Sequence, residues 1–256
     1  AHRPRATTRL TAPPPPPPNG LVVAEPVSRY PVPMRSFAEI HAIAAGRKGG
    51  AEALEALLAR QPRPKSPKEE AALPEDRWLA AFARAIFNAG FNWKVIEAKW
   101  DGFEEAFRGF DVDACAMMDD AWFDALLADS RIVRNGAKIA AVRDNAVFLQ
   151  GLRAKGGAGK VLGGWPARDY AGLLDLLARD GSRLGGTTGQ HALRALGVDG
   201  FVLSPDVTAR LVAEGVIEGP ATSKKARAAV QAAFDGWRRE SGRSLTEISR
   251  ILALSI

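Results

Sequence analysis

From Ser36 onward, apolar residues recur every three or four positions with Arg, Lys, Asp and Glu between them. That spacing sets them on one face of a helix. Ile40, Ile43 and Ala44 form the first such face, and Leu54, Leu57 and Leu58 the next, after a break at Gly49-Gly50. Residues 61–73 read as a polar connection. Glu75-Asp76 then opens a helix carrying Trp78, Leu79, Phe82, Ile86 and Phe87; acidic residues favour a helix N-terminus. A turn at 89–92 leads to Trp93, Val95, Ile96 and Trp100. Short pieces follow around 103–110 and 112–118, and Asp119-Asp120 starts a helix with Trp122, Phe123, Leu126 and Leu127. A long helix is predicted from about Gly136 to Leu152, with Ile139, Val142, Val147 and Leu149 inward. Five glycines between Lys155 and Gly164 predict a mobile loop. The remaining helices are expected near 170–180, 187–196, 207–215, 222–242 and 245–255; the last opens with a Ser244…Glu247 capping box. Neither a period of two nor a 20–50-residue repeat is visible. The fold expected is all-α.

Composition changes this picture little. The chain has 256 residues, 46% hydrophobic and 25% charged, enough for one large domain or two small helical lobes about a cleft. No apolar run reaches the roughly 20 residues of a membrane span. One cysteine, Cys115, excludes an intrachain disulfide, and three scattered histidines make a structural zinc site an unexpected feature. A reducing cytoplasm fits. The net charge of +6 suits either an Arg-rich soluble protein or one that binds a polyanion. Residues 1–33 are set apart by Pro13–Pro18 and by Arg3, Arg5 and Arg9. They read as a basic tail, a targeting segment, or sequence upstream of a start at Met34.

The most informative stretch is Gly181-Ser-Arg183-Leu-Gly185-Gly186-Thr187-Thr188-Gly189, between two apolar helices. Gly185 and Gly186 permit backbone conformations closed to other residues, and they expose amides where the second helix starts. With Arg183, Thr187 and Thr188 these make a site for a phosphate oxygen; an ordinary αα-hairpin would also need such glycines. Beyond the second helix comes Phe201-Val-Leu-Ser204-Pro-Asp206. An aspartate there can cap its helix.

Hairpin, helix, short loop and aspartate in this order resemble the helix-hairpin-helix DNA glycosylase superfamily. That resemblance implies that Asp206 stabilises a positively charged sugar as the N-glycosidic bond breaks. Lyase-type members carry a lysine where Thr188 stands, so hydrolysis without strand cleavage is implied. A longer resemblance is to the DNA-3-methyladenine glycosylase I family. It rests on Asn88-Ala-Gly-Phe-Asn-Trp93-Lys-Val-Ile, Phe103-Glu-Glu-Ala-Phe-Arg-Gly-Phe-Asp111, Arg131-Ile-Val-Arg-Asn-Gly-Ala-Lys138-Ile and Gly186-Thr-Thr188. It implies that Trp93 stacks on a flipped base and that Asn88 and Phe91 wedge into the duplex; core packing would equally suit Trp93 and Phe91. Two departures stand out. The family's base-reading glutamate falls on Ala85, and its zinc-binding cysteines and histidines are missing, Val198-Asp-Gly-Phe following the hairpin instead.

The expected protein is therefore a monofunctional DNA glycosylase for a damaged base, an alkylated purine of the 3-methyladenine kind. It would act as a monomer on double-stranded DNA, without metal, cofactor or membrane, in a bacterial cytoplasm. A DNA-binding protein that has lost catalysis, and a helical interaction module, are the alternatives.

Overall fold

The computed structural model describes residues 34–256, which form one compact unit. The calls made on residues 1–33 lie outside the described residues. Among those described there are fourteen α-helices and no strand. They are α1 (Phe37–Lys48), α2 (Ala51–Ala59), α3 (Pro67–Ala71), α4 (Glu75–Asn88), α5 (Trp93–Ala98), α6 (Trp100–Ala106) and α7 (Val112–Ala116). After these come α8 (Asp120–Ala128), α9 (Gly136–Leu152), α10 (Tyr170–Asp180), α11 (Thr187–Leu196), α12 (Pro205–Ala213), α13 (Lys224–Ser241) and α14 (Leu245–Leu254). Side-chain caps set many of the starts: Ser36, Ser66 and Ser244 close capping boxes, while Asp111, Asp119 and Asn135 cap α7, α8 and α9. Each cap satisfies amides that the helix cannot pair internally.

The helices gather into two groups, each around its own aromatic cluster. In α4–α9, Phe87, Phe103, Phe107, Phe110 and Trp100 stack with centroid separations of 4.6–6.4 Å. In the other group α1 packs on α2 and α14, and α13 packs on α10 and α14. Its centre is the run Tyr170, Phe201, Phe234, Trp237, with successive centroids 4.8, 4.5 and 5.7 Å apart. Edge and offset contacts of this kind add to the area each ring buries. The groups meet where α4 lies against α11, and the buried cores are continuous through that contact.

Two segments expected to be irregular fold on one another. The connection 61–73 contains α3, and the glycine-rich stretch holds a π-helical turn, Gly159–Gly163, seated against it. The glycines are there for close approach. A Cβ on Gly159 would fall 2.6 Å from the Ala71 carbonyl oxygen, and one on Gly163 would fall 2.7 Å from the Glu70 Cβ. Neither position tolerates a side chain without backbone movement. A further correction concerns Val147, which is 53% exposed, while Ala146 takes the inward place between Val142 and Leu149. Val147 lies about 140° around the helix from Val142 at 3.6 residues per turn.

Beneath this junction Glu70 is buried, and burial, followed by the nearby Asp199 carboxylate, pushes its pKa up to about 7. The folded protein thus holds a proton that the unfolded chain releases near 4.5. The stabilisation is complete below that lower value and is lost as pH rises through about 7. Glu70→Gln carries its neutral form to every pH. The melting temperature of the wild type should therefore fall relative to Glu70→Gln between pH 5 and pH 8; parallel curves would refute the burial of a protonated carboxyl.

Candidate functional site

α10 ends at Asp180, and the chain reverses through Gly181–Gly186 into α11. The first hairpin peptide is held by a side chain from the other helix group. Asn145, fully buried on α9, donates from Nδ2 to the Ser182 carbonyl at 2.9 Å and accepts the Ser182 amide at Oδ1, also at 2.9 Å. The Ser182 hydroxyl adds a bond to Asp144 at 3.1 Å. Arg183 is exposed with φ 58°, so the backbone turns left-handed there while Leu184 dives into the core. Gly186 has φ 59° and ψ −139°, a region essentially reserved for glycine. Gly185 is outside the positive-φ set, so of the pair only Gly186 needs its freedom. Gly189 matters sterically: a Cβ there would lie 2.3 Å from the Leu184 carbonyl oxygen. No side chain caps α11. The amides of its first turn, with Thr187 exposed and Thr188 half-buried, are free for an anion.

α11 forms one wall of a cleft and α4 the other. Ala81, Arg84, Ala85 and Asn88 line it from α4, at the spacing of one helical face. Thr187, Thr188, His191 and Ala195 line it from α11, with Ala89 and Trp93 completing it; the volume is about 440 Å³. Trp93 is 60% exposed at the start of α5, where Asn92 caps, so its indole is not a core residue. Phe91, at the turn, is 47% exposed. Asn88 lines the cleft, and its Oδ1 is buried without a hydrogen-bond partner. A buried amide oxygen left unpaired in this way is costly. Lys138 secures the turn by donating to the carbonyls of Phe87 at 3.0 Å and Ala89 at 2.7 Å. Burial, then Arg183, lowers its pKa.

Sequence reasoning passed over Arg84, Lys138 as an anchor, Asn145 and His191. Asn145 had a signal, a carboxamide among apolar positions of α9, whereas His191 had none beyond lying one turn after Thr187. Partial desolvation, and then Arg194, hold the His191 pKa below its ordinary 6.5, which favours the neutral ring. Arg84 lies with its Cζ 4.0 Å over the Trp100 ring and its Nε 3.6 Å from Glu97. No Asp or Glu lines this cleft.

Asp206 is exposed in the first turn of α12 and does not line the cleft. Ser204 is the cap of that helix, accepting from the Val207 amide, so capping does not explain the aspartate. The loop before it is rigidly tied. Gly200 and Val202 amides donate to Thr246 and Ser249 on α14, and the Leu203 amide donates to Gln190 on α11.

The zinc of the family resemblance finds no fitting set of donors among the described residues. No three of their His, Cys, Asp or Glu side chains are placed to hold a metal ion, and Cys115 is buried with its thiol pushed up to about 12. Among the described residues no helix is long and apolar enough to cross a membrane.

Residues 75–161, from α4 to the π turn, match the family model described as methyladenine glycosylase. The match spans about a third of the chain. No curated protein matches it. Among solved structures it is similar to a 3-methyladenine DNA glycosylase I from Staphylococcus aureus, at 25% identity and TM-score 0.41, over 47% of this chain and 75% of that one. It is also similar to a point variant of 3-methyladenine DNA glycosylase I in complex with 3-methyladenine, at 23% identity and TM-score 0.42, over 54% and 80% of the two chains. The matched segment holds α4, Trp93 and the α9 anchors of the cleft, while the hairpin and Asp206 lie beyond it.

Replacing Asn145 by leucine leaves both polar groups of the Ser182 peptide unpaired. It should cost about 1–3 kcal/mol in denaturant unfolding; unchanged stability would show that the two bonds do not hold the hairpin. In an NMR titration, the His191 ring should have its midpoint below 6.5. A midpoint above that value would contradict its desolvation.

Proposed function

We propose that the chain is a monofunctional DNA glycosylase, which hydrolyses the N-glycosidic bond of a damaged base in double-stranded DNA and leaves an abasic site. The observation that carries this reading is the exposed Trp93 indole at a base-sized cleft whose opposite wall begins at the uncapped hairpin. In the proposal, the backbone of 183–188 with Arg183, Gly185, Gly186, Thr187 and Thr188 binds a phosphate. Phe91 fills the gap in the duplex, and the flipped base stacks on Trp93. Water attacks C1′, the C1′–N bond breaks with its electron pair leaving on the base, and Asp206 stabilises the positive sugar or takes the proton of the water. No lysine lines the cleft, which agrees with hydrolysis rather than Schiff-base chemistry.

One observation favours a second reading, a DNA-binding protein without catalysis: Ala85 stands at the base-reading position, and the only carboxylate proposed for chemistry lies off the cleft lining. Abasic-site formation in damaged duplexes separates the two. Asp206→Asn should lower base release about 100-fold or more with DNA affinity preserved. Full activity in this variant would remove Asp206 from the mechanism. Trp93→Ala should lose about 1–3 kcal/mol of stacking, seen as a roughly 5- to 150-fold fall in kcat/KM, and an unaffected rate would place the base elsewhere.

A further inference from the structure

Water that attacks a sugar carbon must give up a proton as the new C–O bond forms, and a positioned base that takes it speeds the step. Most of the groups lining the cleft cannot. Arg84 is a cation stacked on Trp100 and paired with Glu97. Asn88 is an amide with a buried Oδ1, and Thr187 and Thr188 are neutral hydroxyls. Asp206 stands outside the lining. His191 is the exception. The residue is exposed in the cleft wall, so water reaches it. Of the two histidines among the described residues, His41 is tied to Glu55 at 2.9 Å, while the His191 ring has no such partner. The charged groups about it are cations: Arg84 in the facing wall, Arg194 one turn along its own helix, and Arg250 of α14 behind Arg194. Partial desolvation and Arg194 favour the neutral ring, the form that accepts a proton.

The helix also sets its place. α11 begins at Thr187, where the open first-turn amides suit a phosphate. His191 follows four residues later, one turn and about 6 Å along the axis, on the same face. Trp93 completes the cleft from α5. A nucleotide with its phosphate at the hairpin and its base on Trp93 has its sugar between the two, along the turn that carries His191.

Resting on the glycosylase reading, we infer that His191 is the catalytic base of this cleft, taking the proton of the water that attacks C1′ and leaving Asp206 only the charge of the sugar to stabilise. The step balances. The water oxygen bonds to C1′, and the C1′–N bond breaks with its electron pair on the base, so an N-alkylated purine that is cationic in the nucleotide departs neutral. The water proton goes to the unprotonated ring nitrogen, and the imidazolium passes it to solvent. A ring protonated beforehand accepts nothing and repels a cationic base, so activity falls on the acid side.

The test uses the full chain and duplexes methylated with dimethyl sulfate, with released bases quantified by mass spectrometry between pH 5 and pH 8. The acid limb of kcat/KM reports the free enzyme. Its midpoint should coincide with that of the His191 ring in an NMR titration, below 6.5; this comparison needs no variant. His191→Gln, with folding checked by circular dichroism, should lower base release about 100-fold or more and abolish the acid limb. Its binding of undamaged duplex, read by fluorescence anisotropy, should be unchanged. Asp206→Asn should be slow yet keep the limb. Wild-type rates in His191→Gln, a slowed variant that keeps the limb, or loss of the limb in Asp206→Asn instead would each overturn the assignment and leave the glycosylase reading standing. No release by the wild type overturns both.

Discussion

The paired hydrogen bonds between the Asn145 carboxamide and the Ser182 peptide link α9, in one helix group, to the hairpin of the other. Asn145 and Lys138 are seven residues apart, nearly two helical turns, and so share one side of α9. From that side Lys138 holds the end of α4 while Asn145 holds the approach to α11. One helix therefore fixes one end of each cleft wall. The carboxamide is buried in a medium where a satisfied pair is strong and an unsatisfied one is severe. Sliding of the two walls would break both bonds at once, so the cleft has a defined width without any covalent link across it.

Much of this architecture could be read directly from residue order. The period of the apolar residues gave α4, α9, α10, α11 and α14 nearly to their ends, because caps such as Asn135, Ser244 and Gly197 punctuate the chain where the amphipathic pattern stops. Glycine misled in one place. Five glycines between 155 and 164 suggested freedom of motion, yet Gly159 and Gly163 are small because α3 presses on them. A sequence shows the missing side chain without showing what occupies its place. Tertiary neighbours, which one-dimensional spacing cannot supply, also decide the burial of Val147 and the exposure of Trp93.

The site divides in the same way. Gly186 and the turn 89–92 were legible because backbone geometry leaves a mark in composition. The polar lining was not, since Arg84 and His191 belong to common helical faces and gain meaning only when α4 and α11 are opposed. Asn88 was noticed, but nothing in a sequence tells whether a carboxamide at a helix end points to solvent or back across a groove. Asp206 shows the converse: Ser204, two residues earlier, already caps α12, which leaves the aspartate in the first turn, where its charge suits the helix dipole.

The exposure of Trp93 has an optical consequence. Of the six tryptophans, Trp78 and Trp237 are buried and Trp100, Trp122 and Trp165 are partly covered, which leaves Trp93 alone with most of its ring in water. Its fluorescence is the reddest component of the emission and the one most open to a collisional quencher such as acrylamide. A nucleobase laid against that ring would shield it from the quencher and dim its red edge, leaving the other five as an internal reference. The molecule thus carries its own reporter at the mouth of the cleft, without a dye or an added label.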